Sequence, residues 1–200
     1  MQMEMNDLNA SFWEDKYLNN ATGWDIGHIS TPIKAYFEQV ENKNLSILIP
    51  GCGNGYEAEF LHKAGFNNVH ILDIAERPLT NFNNRVSDFP KDQLIHGNFF
   101  DHKGTYDLII EQTFFCALNP LLRGDYIKKV NQLLSKKGKL VGLLFDFSLT
   151  DQGPPFGGSL EEYIRSFSYL FDIKILEKSY NSIDSRKDRE LFIIFEKKNT

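Results

Sequence analysis

Cysteine is scarce: only Cys52 and Cys116 occur in 200 residues. Two thiols cannot build the disulfide framework of a small secreted domain, so a reducing, cytoplasmic setting is expected. Positive charge is also short. Lysine and arginine total 22 against 27 acidic residues, a net charge of -5. That argues against a protein held mainly by nucleic-acid phosphates, which needs a basic face. No apolar run approaches the ~18 residues of a membrane helix. The polar stretch from Met1 to Ala10 lacks the basic start and apolar middle of a signal peptide. His28, His62, His70, His96 and His102 are scattered without ligand spacing, and no carboxylate cluster offers an alternative, so no metal is expected. Repeats, low-complexity tracts and linkers are absent. What is present suits one globular domain over residues 1–200: 42% apolar residues, 24% charged residues and 17 phenylalanines for a core.

Short aliphatic runs mark strands at residues 45–50, 69–74, 93–97, 106–111, 140–145, 171–176 and 191–195. The first five are nearly continuous in apolar character, as expected of parallel strands covered on both faces. Helical spacing falls between most of them. Thr31-Pro32 reads as a helix cap and first residue. Tyr56 to Ala64 places Phe60, Leu61 and Ala64 together, with Gly65 as a stop. Asn119-Pro120 opens a pattern that runs through Leu122, Tyr126, Val130, Leu133 and Leu134 to Gly138. Ser159-Leu-Glu-Glu162 has the form of a capping box. Residues 76–88 read as a short or imperfect helix, and 98–105 is too short for a crossover helix. Only a polar loop, Tyr180 to Arg189, separates the last two strands, which predicts an antiparallel hairpin. The expected fold is α/β: a doubly wound, Rossmann-like sheet of about seven mostly parallel strands. An antiparallel C-terminal edge hairpin and an N-terminal helical segment over residues 1–44 complete it.

The first strand runs into Pro50-Gly51-Cys52-Gly53-Asn54-Gly55, which opens a helix. Glycine there permits positive φ and lets a ligand approach the backbone without a Cβ in the way. Asp73, eighteen residues beyond Gly55, ends the second strand, where a carboxylate can accept both ribose hydroxyls of a nucleoside. The spacing is neither an ATP phosphate loop nor the G-x-G-x-x-G of dinucleotide sites. Tyr56-Glu57 adds bulk and negative charge at the helix start, which suits a ligand without phosphates.

Taken in order, these segments resemble a class I S-adenosylmethionine-dependent methyltransferase. More narrowly they resemble the thiopurine S-methyltransferase family and its thiol and halide methyltransferase relatives. The resemblance rests on Phe12-Trp-Glu-Asp-Lys-Tyr17, Gly23-Trp-Asp-Ile-Gly27, Ile49-Pro-Gly-Cys-Gly53, Leu72-Asp-Ile74, Tyr106 to Pro120 and Gly153-Pro-Pro-Phe156. It implies an N-terminal lid over the cofactor formed by Trp13, Tyr17 and Trp24, where relatives often carry Trp at the middle position. Gly51 and Gly53 would pass under the methionine part, Asp73 would bind the ribose, and Ile74 would lie against the adenine. Asn98 and Phe99 would meet the adenine; relatives often have Asp at the first of these. Glu111-Gln112 stands where relatives often read Asp-Tyr, beside cofactor and acceptor, so Gln112 joins the cofactor set. Arg123 matches an arginine that faces the acceptor, and Asp25 would either orient the acceptor or cap the lid.

The chemistry implied is an in-line displacement at a methyl group that the cofactor brings already activated, so the protein mainly positions and desolvates. A thiol of pKa ~8.5 is partly thiolate near neutrality and needs no strong base. Phe114, Phe115, Phe147 and Phe156 are candidates for an apolar acceptor pocket, with the loop from Gln152 to Gly158 as its edge. The expected acceptor is a small thiol or other soft nucleophile, handled by a monomer without nucleic acid or membrane. The alternatives are methylation of a halide ion or of oxygen or nitrogen on a small aromatic, an NAD-dependent oxidoreductase, and a cofactor-binding module without catalysis.

Overall fold

The computed structural model describes residues 8–150 and 152–199. Most of the N-terminal stretch read above as no signal peptide therefore lies outside the described residues. Helices α1 (Ala10–Leu18) and α2 (Thr31–Phe37) precede β1 (Ile47–Pro50). Then come α3 (Tyr56–Lys63), β2 (Val69–Asp73), α4 (Glu76–Arg85), β3 (Leu94–His96) and β4 (Tyr106–Gln112). The chain continues with α5 (Arg123–Leu133), β5 (Leu134–Phe145), α6 (Leu160–Phe167), β6 (Phe171–Lys178) and β7 (Glu190–Lys197). No helix among the described residues is long and apolar enough to cross a membrane.

The seven strands form one sheet in the order β3-β2-β1-β4-β5-β7-β6. Strands β1 to β5 pair in parallel. β1 is buried at all four positions. Leu48 packs into a cluster with Tyr126, Val130 and Phe167. Ile47 and Ile49 pack on the opposite side with Phe37, Leu61 and Phe82. Both faces are covered by helices, which is why the strand reads as an unbroken apolar run. The strand order reverses between β1 and β4. A doubly wound sheet opens a crevice at the carboxyl ends of such a strand pair.

Three local expectations are corrected. The cap of α2 is Ser30, one residue before Thr31. Helix α5 starts at Arg123, after a separate 3-10 turn over Pro120–Leu122 in which Asn119 Oδ1 accepts from the Leu121 N–H at 3.0 Å. The helix ends at Leu133, and β5 begins at once, well before Leu140. Leu134 pairs with Tyr106, and the register then jumps to Leu108 opposite Lys139. Residues 135–138 bulge out opposite Asp107, whose Oδ1 accepts from Ser135 Oγ at 2.9 Å. Gly138 thus serves a bulge rather than a helix stop, because pairing with β4 overrides helical spacing.

The final strands are antiparallel, as the short loop predicts, but β7 enters between β5 and β6 and pairs with both. Leu191, Ile193 and Phe195 of β7 are fully buried. β6 instead exposes Asp172, Lys174, Glu177 and Lys178. The strand with charges to show water takes the edge, where unpaired backbone is solvated.

Candidate active site

A cavity of about 1290 Å³ opens at the carboxyl ends of β1, β2 and β4. The turn after β1 forms its floor. Gly51 has φ +56°, and a Cβ there would lie 2.3 Å from the Phe114 ring. Gly53 has φ +53°, and a Cβ would come within 2.9 Å of the Tyr17 hydroxyl. Any larger residue would be strained and would collide with the Phe114 ring or the Tyr17 hydroxyl. Asp73 is nearly buried beside this turn. Its Oδ2 accepts from the Gly53 N–H and its Oδ1 from the Ala75 N–H, each at 2.9 Å. Burial pushes the carboxyl up from its ordinary value, and these N–H donors oppose that shift. One carboxylate thereby fixes the turn while keeping lone pairs for a further donor.

The roof is the N-terminal segment. Asn9 caps α1 by accepting from the Phe12 N–H. Glu14 on the same helix reaches down to α4, where its Oε2 accepts from Glu76 N–H and Arg77 N–H, both at 3.0 Å. These are unpaired donors at a helix start, so a carboxylate there is favoured twice, by hydrogen bonds and by the helix dipole. Trp24 stands edge-on to Trp13 at 5.4 Å and to Tyr17 at 5.8 Å between ring centres. Burial and the Asp73 charge push the Tyr17 hydroxyl far above its ordinary pKa, so it stays a neutral donor.

Strand β4 supplies the wall. Glu111 is fully buried. Its Oε1 accepts from Phe114 N–H and Phe115 N–H at 2.8 Å, and its Oε2 from the Tyr126 hydroxyl at 2.5 Å. Burial pushes the carboxyl up to about 7 against the pull of these three donors. Next to it Gln112 lines the cavity with its Oε1 buried and unpaired. Thr113 follows at φ +58°, a costly conformation for a β-branched residue and one that clusters at functional sites.

All of Trp13, Tyr17, Trp24, Gly51, Gly53, Asp73, Ile74, Asn98, Phe99 and Gln112 come together in this cavity. Asn98 Oδ1 accepts from the Phe100 N–H at 2.9 Å, so the side chain is held in place with its amide NH2 to offer. Phe147, Gly153, Pro154 and Pro155 also line the cavity, as does Phe114, which sits beside the glycine turn 5.3 Å from the Phe99 ring centre, whereas Phe115 and Phe156 are core residues. Cys52 and Cys116 also line it. Burial pushes both thiols above their ordinary pKa, which makes them wall rather than nucleophile.

One reading needs correction. Arg123 is not in the lining. Its Nη1 pairs with Glu162 Oε1 at 2.7 Å, its Nη2 donates to the Gly157 carbonyl at 2.6 Å, and its guanidinium lies 4.7 Å from the Phe115 ring centre. The helix start that carries it turns the side chain into the core, where it pins the loop after β5. Arg123→Ala should therefore cost about 3 kcal/mol, the size for breaking a buried pair, read as a drop in urea midpoint with no selective loss on anionic acceptors. Asp25 lines the cavity, and each of its oxygens accepts one hydrogen bond. Oδ1 accepts from the Gly27 N–H at 2.7 Å and Oδ2 from Asn54 Nδ2 at 2.5 Å. These bonds tie the lid to the glycine turn, in keeping with the capping alternative, and leave each oxygen a further lone pair.

Sequence patterns missed Arg186 and Arg189 in the loop before β7; both line the cavity near Phe145 and Phe147. Arg189 is exposed, with its guanidinium 4.6 Å from the Phe147 ring centre. Their only trace in the sequence is two arginines in an otherwise ordinary polar hairpin loop.

A model of the thiopurine S-methyltransferase family matches residues 8–199 of this chain. The probable thiol methyltransferase 2 of Arabidopsis thaliana is 30% identical over 165 residues, covering 80% of this chain and 72% of that protein. Thiocyanate methyltransferase 1 of the same plant is 28% identical over 187 residues, covering 89% and 81%. Among solved structures, the 1,6-didemethyltoxoflavin-N1-methyltransferase of Burkholderia thailandensis was crystallised with 1,6-didemethyltoxoflavin and S-adenosylhomocysteine. It superposes with a TM-score of 0.77 at 14% identity, over 95% of this chain and 87% of that one, a likeness of fold.

Proposed function

This chain belongs to the thiopurine S-methyltransferase family, and on that premise we propose that its cavity transfers a methyl group from S-adenosylmethionine to the sulfur of a small thiol. The observation that carries this reading is the meeting of glycine turn, Asp73 and aromatic lid at one end of a cavity whose other end is aromatic and cationic. The residues fit the cofactor. Gly51 and Gly53 leave bare backbone for the amino-acid part, and Asp73 has lone pairs for the ribose. Ile74 and Phe99 supply apolar surface for the adenine, and Asn98 adds an amide. S-adenosylmethionine, when bound, supplies a methyl group already activated on a sulfonium.

The chain's own work is binding, orientation and exclusion of water. Trp13, Tyr17 and Trp24 cover the cofactor end and lower the local polarity, so a nucleophile there sheds solvent. Phe147 and Pro155 give a soft acceptor apolar walls, and Phe114 stands between them and the glycine turn. Arg189 stabilises its anionic form and so raises the thiolate fraction near neutrality. The reading is of a monomer. Two unbridged cysteines suit a reducing compartment.

Arg189→Ala tests the acceptor end. The KM for an anionic aromatic thiol such as 4-mercaptobenzoate should rise about fivefold, the scale of one partly exposed charge contact, while a neutral alkyl thiol is unaffected. An equal change on both would remove Arg189 from acceptor recognition.

A further inference from the structure

Besides the Asp25 tie to the glycine turn, the lid is fastened by contacts of very different sequence origin. Glu14 ties α1 to the start of α4. At the other end, Arg186 Nη2 donates to the Trp24 carbonyl at 2.6 Å across 162 positions of sequence. Arg186 is nearly buried. Its Nη1 faces Glu190 Oε1 at 3.4 Å, and Glu190 is steadied by Ser182 Oγ at 2.7 Å. Glu57 lies within electrostatic reach, and its Oε1 accepts from the Ser30 N–H of the lid segment. Thr31 and Asn181 bond the same loop to the same segment a second time. Yet Arg186 also lines the cavity, with its guanidinium 5.9 Å from the ring centre of Phe145 at the acceptor end.

A single guanidinium thus belongs to both ends of the cavity. We propose that Arg186 is a positioning residue that couples them: it holds the Trp24 backbone over the cofactor end only while its loop is seated at the acceptor end. Ligand at either end then favours the same closed arrangement, and each tightens the other by the same factor. This rests on the functional reading above and adds to it a linkage between the two sites.

The chain carries its own probe, because its only two tryptophans, Trp13 and Trp24, are both in the lid. S-adenosylhomocysteine is titrated against tryptophan fluorescence with and without 4-mercaptobenzoate, which has no methyl donor to react with in this mixture. In the parent the thiol should tighten S-adenosylhomocysteine binding about fivefold or more, the lower range of such couplings. In Arg186→Gln, S-adenosylhomocysteine should bind about tenfold more weakly, the loss of one charge-assisted hydrogen bond, and the ratio should fall to near one. Arg186→Lys keeps the buried charge but cannot reach both partners, so its ratio should fall as well. If the Gln variant does not fold, the Lys variant alone decides. A parent that responds to S-adenosylhomocysteine but shows no coupling, or a ratio that survives substitution, overturns the role of Arg186 and leaves the methyltransferase reading intact. A parent whose fluorescence and melting temperature both ignore S-adenosylhomocysteine overturns both.

Discussion

Asp73→Ala is expected to lower S-adenosylhomocysteine affinity by about a hundredfold or more, because two hydrogen bonds to a charged acceptor are lost together. The substitution acts twice. On the proposed reading it removes the lone pairs for the ribose, and it strands the Gly53 and Ala75 N–H groups that the carboxylate now holds at 2.9 Å. The second effect should cost about 2 kcal/mol of stability. Asp73→Asn separates the two. The amide keeps one acceptor for one N–H, so the fold should recover more than the binding does. Calorimetric titration of both variants, beside urea unfolding, measures each term. Binding by Asp73→Ala as tight as the parent's would remove Asp73 from the cofactor site.

The second large effect is at Glu111. Glu111→Ala deletes the acceptor for two backbone N–H groups and the Tyr126 hydroxyl in a fully buried place. The loss should be about 4 kcal/mol, with activity falling because the same hydrogen bonds hold Phe114 at the cavity wall. Glu111→Gln is a milder change. Its carbonyl oxygen can serve both N–H groups, while its NH2 donates to the Tyr126 oxygen. The two forms should also differ in pH dependence. The folded-state carboxyl is raised from 4.5 to about 7 by burial. A raised acid favours the folded state while protonated, so its contribution is fully present below pH 4.5 and is lost as pH rises through about 7. The parent should therefore lose up to about 3 kcal/mol relative to Glu111→Gln across that interval. Urea midpoints of the two proteins from pH 4.5 to pH 8 check this; parallel curves would show that Glu111 stays ionised in the fold.

Much of this fold can be read in the chain because its strongest signals are local. The unbroken run at residues 47–50 is buried on both faces, and the glycines after it need backbone angles that few other residues adopt. Asp73 is legible for the same reason: its place at the end of a strand follows from spacing. Arg123 was misread because the resemblance carries residue identity but not direction. The neighbours that claim it, Glu162 and the Gly157 carbonyl, lie 34 or more positions away. Arg186 and Arg189 escaped notice for the converse reason. Nothing near them in sequence points to Trp24 or Phe147; only the insertion of β7 between β5 and β6 brings their loop to the cavity. The start of β5 was missed because Leu133 and Leu134 satisfy helical spacing and strand pairing alike, and the partner strand decides.

The central claim is that methyl transfer here goes to sulfur. The most direct measurement gives the enzyme S-adenosylmethionine with equal amounts of thiophenol and phenol and quantifies the methylated products by mass spectrometry. The two molecules share one ring and differ in the attacking atom, so the comparison isolates the choice of sulfur over oxygen. Methyl phenyl sulfide as the dominant product is the expected result. Anisole as the dominant product would contradict the assignment to sulfur, and neither product, from protein that binds S-adenosylhomocysteine, would contradict the aromatic acceptor end.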